Sequence, residues 1–403
     1  MKKGKNRYAV LAIASIVNFV HGNPYIWTVF QPYVRKEYGL SLAASSQPFT
    51  IIIGIFALGN MLGGYLQHKI GAKKTILAGS LVMCLGFFLA AVAPSHMPWL
   101  ISLGYGALGG LGSGCAFSML VAVRQGWFPD KRGLVTGITV GVIGISGVLM
   151  NPLCDSILAL YGYRTAMLLV TAVYAVLCLG AFFIEEAPEE LASQGSVLAK
   201  TDGSTKPEAG TKPEGGAEAA VQRQYTTREM MHTKVFYAIA ITMALAVPAY
   251  VLVNPLMKSL GMERGLTSAQ ALAGVMIASF ANIIGRFAMP WLSDRTGRKA
   301  VIRVMYVLAM VSVVGLTAAR GGLFILLISI VCLVYGGVVS VFPVLVSDHF
   351  GMKYQGMNFG AVMLGYGLIS ILCPYLLDVA GLNTSFLIAG IACAAGVWGT
   401  RYF

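Results

Sequence analysis

Arg286 stands where a charge is least expected. It lies inside the apolar run 271–292, and no other Lys or Arg sits more than two turns inside such a run. A guanidinium carried to bilayer depth costs at least ~2.5–3.5 kcal/mol on insertion scales, so it needs a partner or a wet cavity. Its own run contains no Asp or Glu. A negative partner arriving from outside would meet the need, which points to an anion. Ser279, Asn282 and Arg286 recur at i, i+3 and i+7 and so share one helix face. Arginine suits a carboxylate because its planar fork can donate two parallel hydrogen bonds. The competing role is an arginine that snorkels, or caps a neighbouring helix carbonyl.

Other polar side chains sit within apolar runs and could line the same cavity. Run 8–31 carries His21, Asn23, Tyr25, Trp27 and Gln31, and Pro24 interrupts it. A proline frees backbone groups, which is tolerated in a membrane beside a cavity. Tyr335 and Tyr366 could offer hydroxyls or ring faces to a small anion, or could simply pack. His21 is compatible with carrying a coupling proton and equally with a hydrogen-bonded neutral imidazole.

These residues need helices that cross a membrane. Hydrophobic residues make up 57% of the chain and charged ones 11%, well below the roughly one quarter charged of soluble domains. Twelve apolar stretches approach the ~20 residues a crossing requires: 8–31, 47–67, 75–94, 99–121, 134–157, 165–184, 235–256, 270–292, 301–319, 322–346, 358–379 and 384–401. Residues 185–233 form a polar, Pro- and Gly-rich segment that cannot bury enough surface to fold. The chain therefore divides into 1–184, a linker at 185–233, and 234–403. The net charge of +13 falls in short loops between apolar stretches, which disfavours a nucleic-acid groove. With the N-terminus cytoplasmic, 22 of the 29 Lys and Arg lie on the cytoplasmic side, as the positive-inside bias requires. Both termini are then inside, and a cell inner membrane is the expected location. The seven cysteines all lie in apolar stretches without a CxxC pair and read as small packing residues.

The halves repeat each other. Gly133, Gly137 and Gly144 match Gly356, Gly360 and Gly367 at a constant spacing of 223, and Pro152 and Pro374 follow one position out of register. The loop around Gly71-Ala72-Lys73 parallels Asp294-Arg295-Thr296-Gly297-Arg298-Lys299. Repeated halves imply a transporter with its substrate near the midplane between them. Asp294, Arg295 and Arg298 can make contacts that break and reform as halves rock; a static loop is the alternative. His68 and Ala72 weaken the first copy of that motif.

The Asp294-Arg295-x-Gly297-Arg298 loop resembles the signature of the major facilitator superfamily. Trp127-Phe128-Pro129-Asp130-Lys131-Arg132-Gly133, with Asn23-Pro24-Tyr25 and the run Thr226–Met230, resembles its oxalate/formate antiporter branch, related to monocarboxylate transporters. The resemblance implies an all-α fold of two pseudo-symmetric six-helix bundles, an arginine at the position of Arg286 that binds the carboxylate, and substrate contacts at Tyr25 and Gln31. It also marks departures. Oxalate carriers have a second basic residue in the eleventh helix, near where Tyr366 falls here. Animal monocarboxylate carriers have an Asp where Asn282 stands and a Lys where Tyr25 stands. One fixed cation balances one carboxylate. The expectation is a secondary transporter of a monocarboxylate of the formate, acetate, lactate or pyruvate type, by proton symport or anion exchange. A dicarboxylate exchanger and a non-transporting anion sensor are the alternatives. Gly104-Tyr105-Gly106-Ala107-Leu108-Gly109 satisfies a dinucleotide pattern but has no preceding strand. No cofactor, metal set or enzyme chemistry is expected.

Overall fold

The computed structural model describes residues 7–128, 132–185, 224–351 and 354–403; most of the expected linker lies outside them. The described residues are helical throughout, without a strand. Ten helical stretches are long and apolar enough to cross a membrane. We name the helices α1 (Arg7–Tyr38), α2 (Leu42–Ile70), α3 (Ala72–Ala91), α4 (99–127), α5 (132–161), α6 (163–178), α7 (Lys234–Glu263), α8 (Ser268–Thr296), α9 (Arg298–Gly315), α10 (Gly321–Phe350), α11 (Gln355–Ala380) and α12 (Leu382–Gly399). α5 and α6 lie in one of the ten stretches, divided by Gly162, whose φ of 74° no helix accommodates. α9 is an 18-residue helix outside the ten.

Local sequence explains the ends. Thr267 and Gln270 form a reciprocal capping box at the start of α8, satisfying donors a helix leaves orphaned. Gly71 and Gly297, at φ of 83° and 91°, make the turns into α3 and α9. A side chain would strain either turn, so the repeated loop motif has a backbone cause.

Small residues set the packing. A Cβ on Gly285 would strike the carbonyl of Leu333, and one on Gly336 that of Asn282, so α8 and α10 run backbone to backbone. Gly59 and Gly110, each 226 positions earlier, bring α2 against α4 in the same way, with a Cβ on Gly110 only 2.7 Å from the Ile52 carbonyl. Such close approach lets helices pack in lipid, where apolar burial offers no drive to associate. Across the halves, Gly141 and Gly144 of α5 admit Phe287 and Ile283 of α8, while Gly54 of α2 meets Gly367 of α11.

Candidate functional site

α8 presents two faces. Ile277, Phe280, Ile284 and Trp291 are about half exposed and line up on one side. Asn282 and Arg286 lie buried on the other. The guanidinium therefore points into the protein rather than toward lipid tails. Arg286 is 8% exposed. Its Nε donates to Asn282 Oδ1 at 3.0 Å, and its Nη2 donates to the Tyr25 hydroxyl of α1. The Asn282 amide in turn donates to the Cys332 carbonyl of α10 at 3.0 Å. The Gly285 and Gly336 contacts thus place the arginine, and Asn282 orients it.

Aromatic hydroxyls surround the charge. Tyr335 and Tyr366 share a hydrogen bond of 2.7 Å and lie within electrostatic reach of Arg286. Tyr250 of α7 stacks flat on Tyr335, with centroids 3.5 Å apart. Asn254 donates to the Tyr250 hydroxyl at 2.7 Å, and its carbonyl accepts from Thr28 of α1 at 2.8 Å. The result is a cation flanked by four tyrosines from α1, α7, α10 and α11. Tyr250 was not anticipated; its signal was the repeat, since Pro248 and Tyr250 sit mid-α7 as Pro24 and Tyr25 sit mid-α1.

The remaining expected residues lie elsewhere. Gln31 is buried nearer the end of α1, its amide donating to Ser45 of α2 at 2.7 Å. His21 is buried one turn before Tyr25, and neither ring nitrogen has a hydrogen-bond partner among the described residues. Asp294 pairs with Arg298, which also donates to Asp348 at 3.1 Å. Arg295 stacks on Trp291 at 4.0 Å. These loop contacts run within the second half of the chain. The side chain of His68 lies outside the described residues, as do Asp130 and Lys131.

Two buried cations escaped the sequence reading. Lys258 is 2% exposed and pairs with Asp155 of α5, joining the halves on the side of the tyrosines away from the N-terminus. Arg124 is fully buried, its Nε donating to Leu120 and neither Nη bonded among the described residues. Both residues lie just past the ends of their apolar stretches, and both helices continue beyond: α7 to Glu263, α4 to Trp127. Loop assignment from hydropathy alone misses such extensions.

The chain matches the Major Facilitator Superfamily over residues 9–374. It belongs to that superfamily. It is a multi-pass membrane protein of the transporter type. It is 25% identical to an uncharacterised transporter of this type from Escherichia coli, over 91% of this chain and 86% of the relative. It is 27% identical to the oxalate:formate antiporter of Oxalobacter formigenes, over 95% and 88%. A partially occluded, inward-open xylose transporter from E. coli superimposes with a TM-score of 0.71 at 14% identity, over 99% of both chains, which bears on the fold alone.

Proposed function

We propose that the protein is a secondary transporter of small carboxylates, most specifically monocarboxylates of the formate, acetate, lactate or pyruvate type, working by alternating access. The observation that carries this reading is the guanidinium of Arg286, buried within the crossing-length helix α8 and oriented by Asn282 beside the tyrosines. A carboxylate would lie on that fork, with the Tyr25 hydroxyl turning to donate to it. Charge-assisted hydrogen bonds are the strong ones in a dry site. The kinship with an oxalate:formate antiporter supports an organic anion as cargo. It also supports a second reading, exchange of a dicarboxylate. Around the tyrosines the charge balance favours the monoanion, because the Lys258 charge is already matched by Asp155, Arg124 sits in the last turn of α4, and a dianion would leave one charge uncompensated.

The chain would cross the membrane twelve times, with α5 and α6 counted separately and α9 added, as two six-helix halves, 1–184 and 234–403. Both termini would face the cytoplasm of a cell whose inner membrane holds the protein. Asp294, Arg295 and Arg298, with His68 on the other half, would gate the cytoplasmic side. His21 would be the candidate for a coupling proton. Uptake of a panel of one- to four-carbon carboxylates into proteoliposomes, with and without a pH gradient, tests substrate and coupling together. Saturable uptake of a monocarboxylate supports the reading. No uptake or counterflow of any carboxylate overturns it.

A further inference from the structure

Asn151 is an amide in an unusual position. It is fully buried in α5, and neither its Nδ2 nor its Oδ1 has a hydrogen-bond partner among the described residues. Its direction follows from its neighbours on the same helix. Gly141 admits Phe287, Gly144 admits Ile283, Gly147 faces Tyr25 and Ser279, and Asp155 pairs with Lys258. At 3.6 residues per turn these four positions span an arc of about 120°, and Asn151 falls inside it. The amide therefore faces the seam between the halves. It lies one turn, about 6 Å at 1.5 Å per residue, beyond the Gly147 level where Tyr25 packs. Pro152 follows it, so the Val148 carbonyl on the same face lacks its usual helical donor. The Ser279 hydroxyl stands opposite Gly147, one turn away, and donates to the Val275 carbonyl of its own helix at 2.9 Å, which leaves its oxygen able to accept. Amide, carbonyl and hydroxyl make a short polar patch next to the tyrosine-lined arginine, and buried polar groups require partners.

We infer that Asn151 reads a second oxygen function on the substrate, one carried by the carbon next to the carboxylate. This rests on the reading of Arg286 as the carboxylate anchor. An amide can donate to an oxo oxygen and accept from a hydroxyl, and the Val148 carbonyl can accept a hydroxyl proton as well. Formate and acetate have no such group and leave the patch unsatisfied. The preferred substrates are then 2-hydroxy or 2-oxo acids rather than plain alkanoates of the same length.

Matched pairs test this: glycolate against acetate, and lactate against propionate, as competitors of labelled lactate counterflow in proteoliposomes. The wild type should favour the hydroxy acid of each pair by roughly tenfold to a hundredfold, as a hydrogen bond to a buried polar group implies. Asn151→Ala and Asn151→Leu should lower affinity for the hydroxy acids to that of their alkanoates, leaving propionate unchanged. Asn151→Ser, which keeps a small polar group, should fall between and guards against misfolding of the apolar variants. Equal wild-type affinities within each pair overturn the inference, as does a preference that survives in a stably folded Asn151 variant. Failure of the anchor looks different: lactate and propionate would then both bind as well to Arg286→Gln as to the wild type.

Discussion

Replacing Asp155 with Asn should loosen the seal between the halves on the side away from the N-terminus. The carboxylate there meets an ammonium whose side chain is 3% exposed, while its own is 16% exposed. Removing one partner of a buried pair costs ~3–5 kcal/mol because the other charge is stranded. The partial exposure of Asp155 argues for the lower end. The other bridges on that side are weaker: Arg35 and Glu263 form an exposed pair at 3.5 Å, worth about 0–1 kcal/mol. The Thr28 bond to Asn254 is worth about 1 kcal/mol. The stranded lysine thus dominates, and opening the seal hydrates it. A penalty of ~3 kcal/mol shifts the balance between closed and open roughly a hundredfold. Spin labels at Leu160 and Met262, near the ends of α5 and α7, report it by pulsed dipolar distance measurement. Asp155→Asn should add a population at longer distance. Asp155→Asn with Lys258→Met should restore the short one, since no charge is left unpaired. Identical distance distributions in the wild type and both variants would refute the reasoning.

Two further substitutions probe how the site is held. Gly336→Val drives a side chain into the Asn282 carbonyl; overpacking of this kind costs ~1–3 kcal/mol, so thermal unfolding in detergent should shift downward and carboxylate binding should weaken with it. Tyr25→Phe keeps the ring and removes the hydroxyl that Arg286 donates to. The bond that hydroxyl would donate to a bound carboxylate is worth ~0.5–1.5 kcal/mol, so affinity should drop a few- to roughly tenfold, with a smaller fall in melting temperature from the lost Arg286 contact.

Much of the fold was legible because lipid punishes ambiguity. Apolar runs of crossing length, basic loops and paired glycines each leave a pattern in the chain, and Gly71 and Gly297 both proved to be left-handed turns. Arg286 was legible for the same reason, as a charge where none is cheap. What the sequence hid depends on partners far along the chain. Gln31 donates to Ser45 of α2, a partner that no spacing in the sequence points to. Asp155 meets Lys258 only because α7 brings it there across more than one hundred positions. Asn151, one polar residue in an apolar run, gains significance only from the arc of contacts around it.

The most direct test of the central claim is equilibrium binding of a labelled carboxylate to the purified protein, compared with Arg286→Gln and Arg286→Lys. Loss of the charged fork removes one or two bonds worth ~1.5–3 kcal/mol each. Arg286→Gln should therefore bind at least about tenfold more weakly, with Arg286→Lys between it and the wild type. Unaltered affinity in a folded Arg286→Gln protein would contradict the account.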